Sequence, residues 1–300
     1  MNVIKSIFYL FRDALKEFFS DRASIYAAAL AYYTVFSLAP LLVFITSLAG
    51  LLIGRTNAAD QLALQLQYIV GPDLAEVIGE AVTALTDQTT STTATLVSVG
   101  VLIVGASGLF RNLKTAINLI WGIVDVRPKN AREWLIFIRY RAIPFLMIFL
   151  FGFLLSMLVI IQTIISAVSA RFEVLFPEFG SLIPQISILL LPVLTFITFV
   201  FIFKFLPDAD SRWRDVAVGA AVTTVLFLIG RVLLGVVLSF SNTSSIYGAA
   251  GSVVILLFWV YYSAQILLFG AEFTQFYALR YGRPISPHVL AEFAEEDVTA

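Results

Sequence analysis

Apolar residues in this chain gather into six long stretches, approximately Ala27 to Ile53, Thr95 to Trp121, Ile143 to Val168, Gln185 to Leu206, Val216 to Phe240 and Ala249 to Ala271. A hydrocarbon core of about 30 Å takes roughly 20 residues of helix to cross, so each stretch is long enough to span. The pattern predicts an all-α polytopic membrane protein with six transmembrane helices in one domain over residues 23–280. Ahead of it, Ile4, Ile7, Phe8, Phe11, Leu15 and Phe18 recur at helical spacing, with Lys5, Arg12, Asp13, Lys16 and Glu17 interleaved. That spacing predicts an amphipathic helix over 1–22, lying in the membrane interface or packed on the protein's own loops. Pro40 removes a backbone donor inside the first stretch and predicts a bend there.

Between the first two spans, residues 54–94 carry Asp60, Asp73, Glu76, Glu80 and Asp87 against Arg55. Leu62, Leu66, Ile69 and Val70 suggest one short helix; after Gly71-Pro72-Asp73, Leu74, Val77, Ile78, Ala81 and Leu85 suggest a second. Such a pair would cap the bundle from outside. The second span reads as one long helix whose inner third is polar, with Arg111, Asn112, Lys114 and Asn118. Spans three and four contain Pro144 and Pro192, and Pro207-Asp208-Ala209-Asp210-Ser211 reads as the turn into span five. Its Asp-x-Asp triplet reads as capping acids rather than a metal site, because no further carboxylates cluster with it. The acidic tail, 281–300, is expected to be mobile.

Composition agrees with the pattern. Hydrophobic residues make up 60% of the 300-residue chain and charged ones 13%, and the mean hydropathy is +0.94. That leaves too little polar surface for a soluble particle of this size. There is no Cys, and the single His is His288, which excludes disulfides, thiol catalysis and histidine metal clusters. A removed signal peptide is not expected at the N-terminus. The net charge of −1 says little, whereas its distribution says much. Counting Arg111, Lys114 and Lys204 with the segments they adjoin, 16 basic residues fall on the N-terminal side and 2, Arg55 and Arg171, on the other, with Arg231 inside span five. Retained loops carry the Lys/Arg excess, so both termini are expected in the cytoplasm of a bacterial cell. The loop from Asp125 to Arg141 is the most basic and would sit beside anionic headgroups; membrane lipids are the expected partners, not nucleic acid.

Buried polar side chains are the candidate chemistry of such a bundle. In span one, Tyr33, Ser37 and Pro40 share a face with Tyr26 and Ser47. In span six, Tyr247, Tyr261, Gln265 and Glu272 share one with Gly251, provided the helix is continuous. In span five, Thr224 and Arg231 align seven residues apart. Together these faces would line a polar interior, or else only join helices through hydrogen bonds. Arg231 lies 16 residues beyond Asp215, about 24 Å along a helix, which puts its guanidinium in the outer leaflet. Facing lipid there costs at least ~2.5 kcal/mol, so a bundle-facing position with an anionic partner is expected. Glu272 matches by charge but sits at the opposite end of its span; an acid of 54–94 or an anionic substrate headgroup would also serve. No catalytic or metal-ligating residues are assigned, and no cofactor is called for.

Several of these residues fall in a recurring pattern. Ala27-Ala28-Ala29-Leu30-Ala31-Tyr32-Tyr33 with Ser37-Leu38-Ala39-Pro40-Leu41, and Ile246-Tyr247-Gly248-Ala249-Ala250-Gly251 followed by Trp259, Tyr261-Tyr262-Ser263 and Gly270-Ala271-Glu272, resemble the first and last spans of the YihY/BrkB family of bacterial cytoplasmic-membrane proteins. Trp213-Arg214-Asp215, Gly230-Arg231 and the run from Leu113 to Trp121 with Asn118 also fit, so the resemblance covers roughly residues 10–280. It implies six spans and a protein suspected of moving envelope molecules, lipids or their precursors. An older family label, ribonuclease BN, implies phosphodiester hydrolysis. That chemistry needs clustered carboxylates with metal or a His or Lys acid/base pair, which the cytoplasmic segments do not supply. The sequence therefore favours a transporter or lipid-handling protein over a non-transporting scaffold of an envelope complex, leaves a homo-oligomer open, and gives no substrate.

The charge asymmetry makes a direct prediction. Since the chain contains no native Cys, single cysteines near Asn57, Thr92 and Asn242 should react with impermeant reagent outside sealed cells, and cysteines at Lys129 and Ser211 should be protected. External labelling at Lys129 would overturn the topology.

Overall fold

The computed structural model describes residues 3–53, 108–125, 152–165, 182–240, 249–287 and 291–293, together with scattered helical positions at 61–64, 67, 75, 134, 143, 146, 147, 149, 150 and 168. Its elements are α1 (Val3–Ser20), α2 (Ala23–Ile53), α3 (108–120), β1 (Ile123–Asp125), α4 (Gly152–Ile165), α5 (Leu182–Phe205), β2 (Ala209–Asp210), α6 (Trp213–Phe240), α7 (Ala249–Tyr281), β3 (Ser286–Pro287) and β4 (Ala291–Phe293). Parts of all six apolar stretches are thus helical, and two described helices, Trp213–Val236 and Val254–Tyr281, are long and apolar enough to cross a membrane. Tyr247 and most of the external segment lie outside the described residues, although 61–64, 67 and 75 are helical. α2 runs through Pro40 as one helix.

α7 is the helix around which the others assemble; it packs against α1, α2 and α6. Its crossing with α6 is reciprocal. A Cβ placed on Gly219 would collide with the side chain of Thr274, and one placed on Gly270 would collide with that of Thr223. Two antiparallel Gly-x-x-x-Thr segments therefore interlock, each threonine seated where the facing helix has no side chain. Small residues at this spacing let backbones approach closely, which matters where lipid tails are as apolar as leucine and burial alone gives helices little reason to associate. Both hydroxyls are satisfied within their own helix: Thr223 Oγ1 donates to Gly219 O at 2.7 Å and Thr274 Oγ1 to Gly270 O at 2.6 Å. With polarity satisfied internally, the threonine methyls are free to pack.

Away from their charged ends, the outward faces of α6 and α7 are apolar. Val225, Ile229, Val232, Leu233 and Val236 of α6 and Val254 and Phe258 of α7 are exposed, a density that suits lipid and not water. The interior is continuous with them. Ala27, Leu30, Phe110, Ile117, Trp121, Phe203 and Leu268 form its centre, and Trp121 Nε1 donates to Ala271 O at 3.1 Å, fastening α3 to α7. A second cluster joins α2, α4 and α7 through Ala31, Ile45, Val159 and Val260, and takes in Leu62 of the external segment.

The all-α expectation needs one amendment. Gly122, at φ 67°, ends α3 in the left-handed conformation that glycine adopts without steric cost. β1 then pairs antiparallel with β4, Val124 opposite Glu292, and β2 pairs with β3, Ala209 opposite Pro287. Residues 286–287 and 291–293 are therefore hydrogen-bonded ribbon, not the mobile tail expected from their composition. Unpaired backbone groups at the ends of α3 and α5 decide this, since the returning chain satisfies them. The start of α6 joins the same layer: buried Asp215 accepts from Arg283 N at 3.4 Å and lies against Gly282.

α1 is docked as well as amphipathic. Leu10, Ala14 and Phe273 are buried together, with Phe11 stacked near Phe269 and Phe273. Phe8, Leu15 and Phe19 remain exposed on another face. One apolar stripe of this helix therefore packs on α7, and the other stays exposed.

The α6–α7 crossing generates a stability prediction. Gly270→Ala gains about 1 kcal/mol of helix propensity, but overpacking against β-branched, backbone-bonded Thr223 costs about 1–3 kcal/mol. A net loss in thermal unfolding midpoint in detergent is expected. Combining it with Thr223→Ala should restore most of that loss, whereas a double variant no better than the single would refute the interlock.

Candidate functional site

The sequence-predicted residues separate into three places along the bundle. The first surrounds Arg231, which is half-buried on α6 in a crevice lined by Phe227, Leu234, Trp259, Tyr262, Ser263 and Ile266. Gly230 gives the crevice its shape, because a Cβ there would strike the Tyr262 ring. The residues of α7 that meet Arg231 lie one step round the helix from the face that spacing selects. Tyr261 instead packs into the core clusters, and Gln265 is half-buried outside the crevice lining. Thr224 is buried and donates to Ala220 O at 2.7 Å, so its hydroxyl is already committed. In this conformation the crevice is too narrow for a water-sized sphere.

The second place is the polar inner end of α3. Asn118 Nδ2 donates to Asp208 Oδ2 at 2.9 Å, the Asp208 backbone N–H donates to Asn118 Oδ1 at 3.0 Å, and Lys114 Nζ is 2.7 Å from Asp208 Oδ2. All three side chains are largely shielded from water. Asp208 therefore holds α3 to the segment between α5 and β2. Sequence order gives no hint of this pairing, since Asn118 and Asp208 lie 90 residues apart.

The third place surrounds Glu272, which is fully buried in α7, with neither carboxylate oxygen hydrogen-bonded in acceptable geometry. Among the described residues the charges that act on it are Asp21 and Glu17, not Arg231. At 1.5 Å per residue the ten residues from Tyr262 to Glu272 put about 15 Å between the two sites along α7. Asp21 belongs to the turn between α1 and α2, where Arg22 adopts φ 52° and Asp21 N donates to Glu17 O at 2.8 Å. Burial, and then the neighbouring Glu17, raise the Asp21 carboxyl above its ordinary range, opposed by its interaction with Glu272. Asp21 was not singled out by the sequence; its place at the helix junction was the available signal.

In span one, Tyr33 packs on Gly108 of α3, and Ser37 is buried with its hydroxyl donating to Thr34 O at 3.1 Å. Neither enters the Arg231 crevice. The side chain of Pro40 lies outside the described residues. Among the described residues no group of three or more acidic or histidine side chains could hold a metal ion.

Long helices apolar enough to cross a bilayer, with exposed apolar faces, suit a helical membrane protein. The chain belongs to the virulence factor BrkB family, whose profile matches residues 14–290. Similar bacterial proteins are named UPF0761 membrane proteins. The one from Rhodospirillum centenum is 26% identical over 266 residues, 88% of this chain and 56% of its own length. Those from Idiomarina loihiensis and Vibrio parahaemolyticus are each 27% identical, over 86% and 91% of this chain and 87% and 83% of theirs. This chain therefore spans little more than half of the first relative but most of the other two. No solved structure matches it.

The Asp208 clamp predicts a structural phenotype. Asp208→Ala strands the Lys114 ammonium in a shielded position and should cost roughly 3 kcal/mol of stability. Replacing both residues together with apolar side chains of similar volume should be much milder. A thermal midpoint unchanged by Asp208→Ala would show that the pair contributes nothing to the fold.

Proposed function

We propose that this protein is a six-span component of the bacterial cytoplasmic membrane, with both termini inside, that moves or handles an anionic lipid or envelope precursor along a polar route past Arg231. The observation that carries this reading is the guanidinium set deep in a long apolar helix, beside the side chain of Tyr262, at a crevice between α6 and α7. A buried cation is costly in a bilayer and is retained where it meets an anion. Arginine's planar fork suits a phosphate or carboxylate headgroup, gripping two oxygens at once. Because the crevice is closed to water, passage requires α6 and α7 to part on the Arg231 side of the Gly219–Thr274 interlock, which then acts as the fixed end of the movement. Nothing in this reading calls for catalysis or a cofactor.

The test uses purified protein in vesicles of phosphatidylethanolamine and phosphatidylglycerol, with a fluorescent phosphatidylglycerol as reporter of exchange between leaflets. Wild type should accelerate exchange. Arg231→Ala should slow it at least about tenfold, corresponding to loss of ~1.5 kcal/mol or more of charge-assisted hydrogen bonding, with unchanged insertion. Arg231→Lys keeps the charge but loses the fork and should fall between the two. Full activity with Ala would remove Arg231 from the route, and no acceleration by wild type would remove this lipid as substrate.

A further inference from the structure

The buried carboxyl of Glu272 has no part in the route past Arg231, about 15 Å away by helical rise. It is fully buried, yet both its oxygens lack a hydrogen-bond donor among the described residues. Buried polar groups are almost always paired, so an orphaned carboxyl needs a specific explanation. Among the described residues, the charges acting on it include no cation. α1 contributes Glu17 and the following turn Asp21, both partly exposed. Exposed Arg22 is not among the charges acting on Glu272. In the core formed with α2 and α6, Ala23, Ala27, Val216 and Ala220 are buried with Tyr26 partly buried against them, and Thr223 commits its hydroxyl to Gly219 O. Trp121 of α3 spends its N–H on Ala271 O.

Asp21 is within interaction range of Glu272, but two carboxylates have no hydrogen to place between them. A hydrogen bond across the pair exists only when one oxygen carries a proton. Without it, like charges face each other in a water-poor setting, the arrangement in which paired carboxyls retain one proton between them. The metal alternative is weak, because these acids do not converge as a ligand set.

We propose that Asp21 and Glu272 form a proton-binding site, one proton shared by two carboxyls and exchanged with water at the α1 end of the bundle by way of Glu17. The proton comes from bulk water and returns to it, with no other bond made or broken. When it is bound, the α1–α2 turn is held to α7. When it leaves, repulsion among Glu17, Asp21 and Glu272 loosens the turn and, with it, the docking of Phe11 and Phe18 on Phe269 and Phe273. Proton occupancy would thereby set how firmly the N-terminal helix is attached. This goes beyond the lipid-handling reading and does not depend on it.

The experiment is an infrared titration of the full chain in lipid vesicles, paired with thermal unfolding in detergent over the same pH range. The folded pair holds a proton that the unfolded chain has released near neutrality, so stability should fall as pH rises. A carboxylic acid C=O band should disappear over the same range. Glu272→Gln, near-isosteric and uncharged, should remove both the band and the pH dependence. Asp21→Asn removes one negative charge and supplies an N–H donor to Glu272, so the band should be lost at lower pH than in wild type. This second variant carries the test even if Glu272→Gln fails to accumulate. A band and a pH slope identical to wild type in whichever variants fold would overturn the proposal, whatever the outcome for lipid movement.

Discussion

The close antiparallel crossing of α6 and α7 is the contact on which the rest of the bundle depends. Two helices approach backbone to backbone only where one of them lacks a side chain, and Gly219 and Gly270 supply that condition on opposite partners. With those positions interlocked, the register of the whole pair follows. Asp215 comes level with Gly282, and Gly230 level with Tyr262. The other sides of α7 then receive α1, α2 and the Trp121 indole. A rotation of α7 by one residue would break all of these together, because each depends on a small residue or a carbonyl at a fixed azimuth.

Polar satisfaction explains which side chains merely build the bundle. Thr34, Thr163, Thr223, Thr224, Ser263 and Thr274 each donate to a carbonyl four residues back in their own helix. Such groups cost little in an apolar medium and need no partner across the bundle. Asn118, Lys114 and Asp208 satisfy one another across it. Two ionisable side chains stand apart by their surroundings: Arg231, at a crevice in an apolar helix, and Glu272, buried and facing acids. The two are proposed to act differently, Arg231 on a headgroup oxygen and Glu272 on a proton.

The ribbons β1–β4 and β2–β3 bring the ends of α3, α5 and α7 into one layer, and Asp215 ties the start of α6 to it. The same layer contains the Lys114–Asp208 pair, and α1 docks against α7 through Phe273, eight residues before its end. One end of the bundle is therefore built from chain segments that are distant in sequence, and the proposed proton site lies just inside it. A titration there acts on a junction of three helices, which gives a single proton a structural consequence.

Periodicity, length and composition by themselves determined the helical class and the positions of the apolar stretches, because both follow from burying apolar surface along one chain. They also determined the family, through motifs that lie near both ends of the domain. Tertiary structure alone decided the partners. Helical arithmetic aligned Tyr261 and Gln265 with Arg231, but which face of α7 meets α6 was settled by the threonines at 223 and 274 fitting against glycines on the facing helix. Asp208 is the turn residue its sequence suggested, but only the fold showed that Lys114 and Asn118 meet it from α3. The tail looked free until ribbon pairing used its backbone. Glu272 looked like a partner for arginine, yet the turn at Arg22 sets an aspartate beside it. Such pairings join residues far apart in sequence, and only the packed fold puts them within reach of one another.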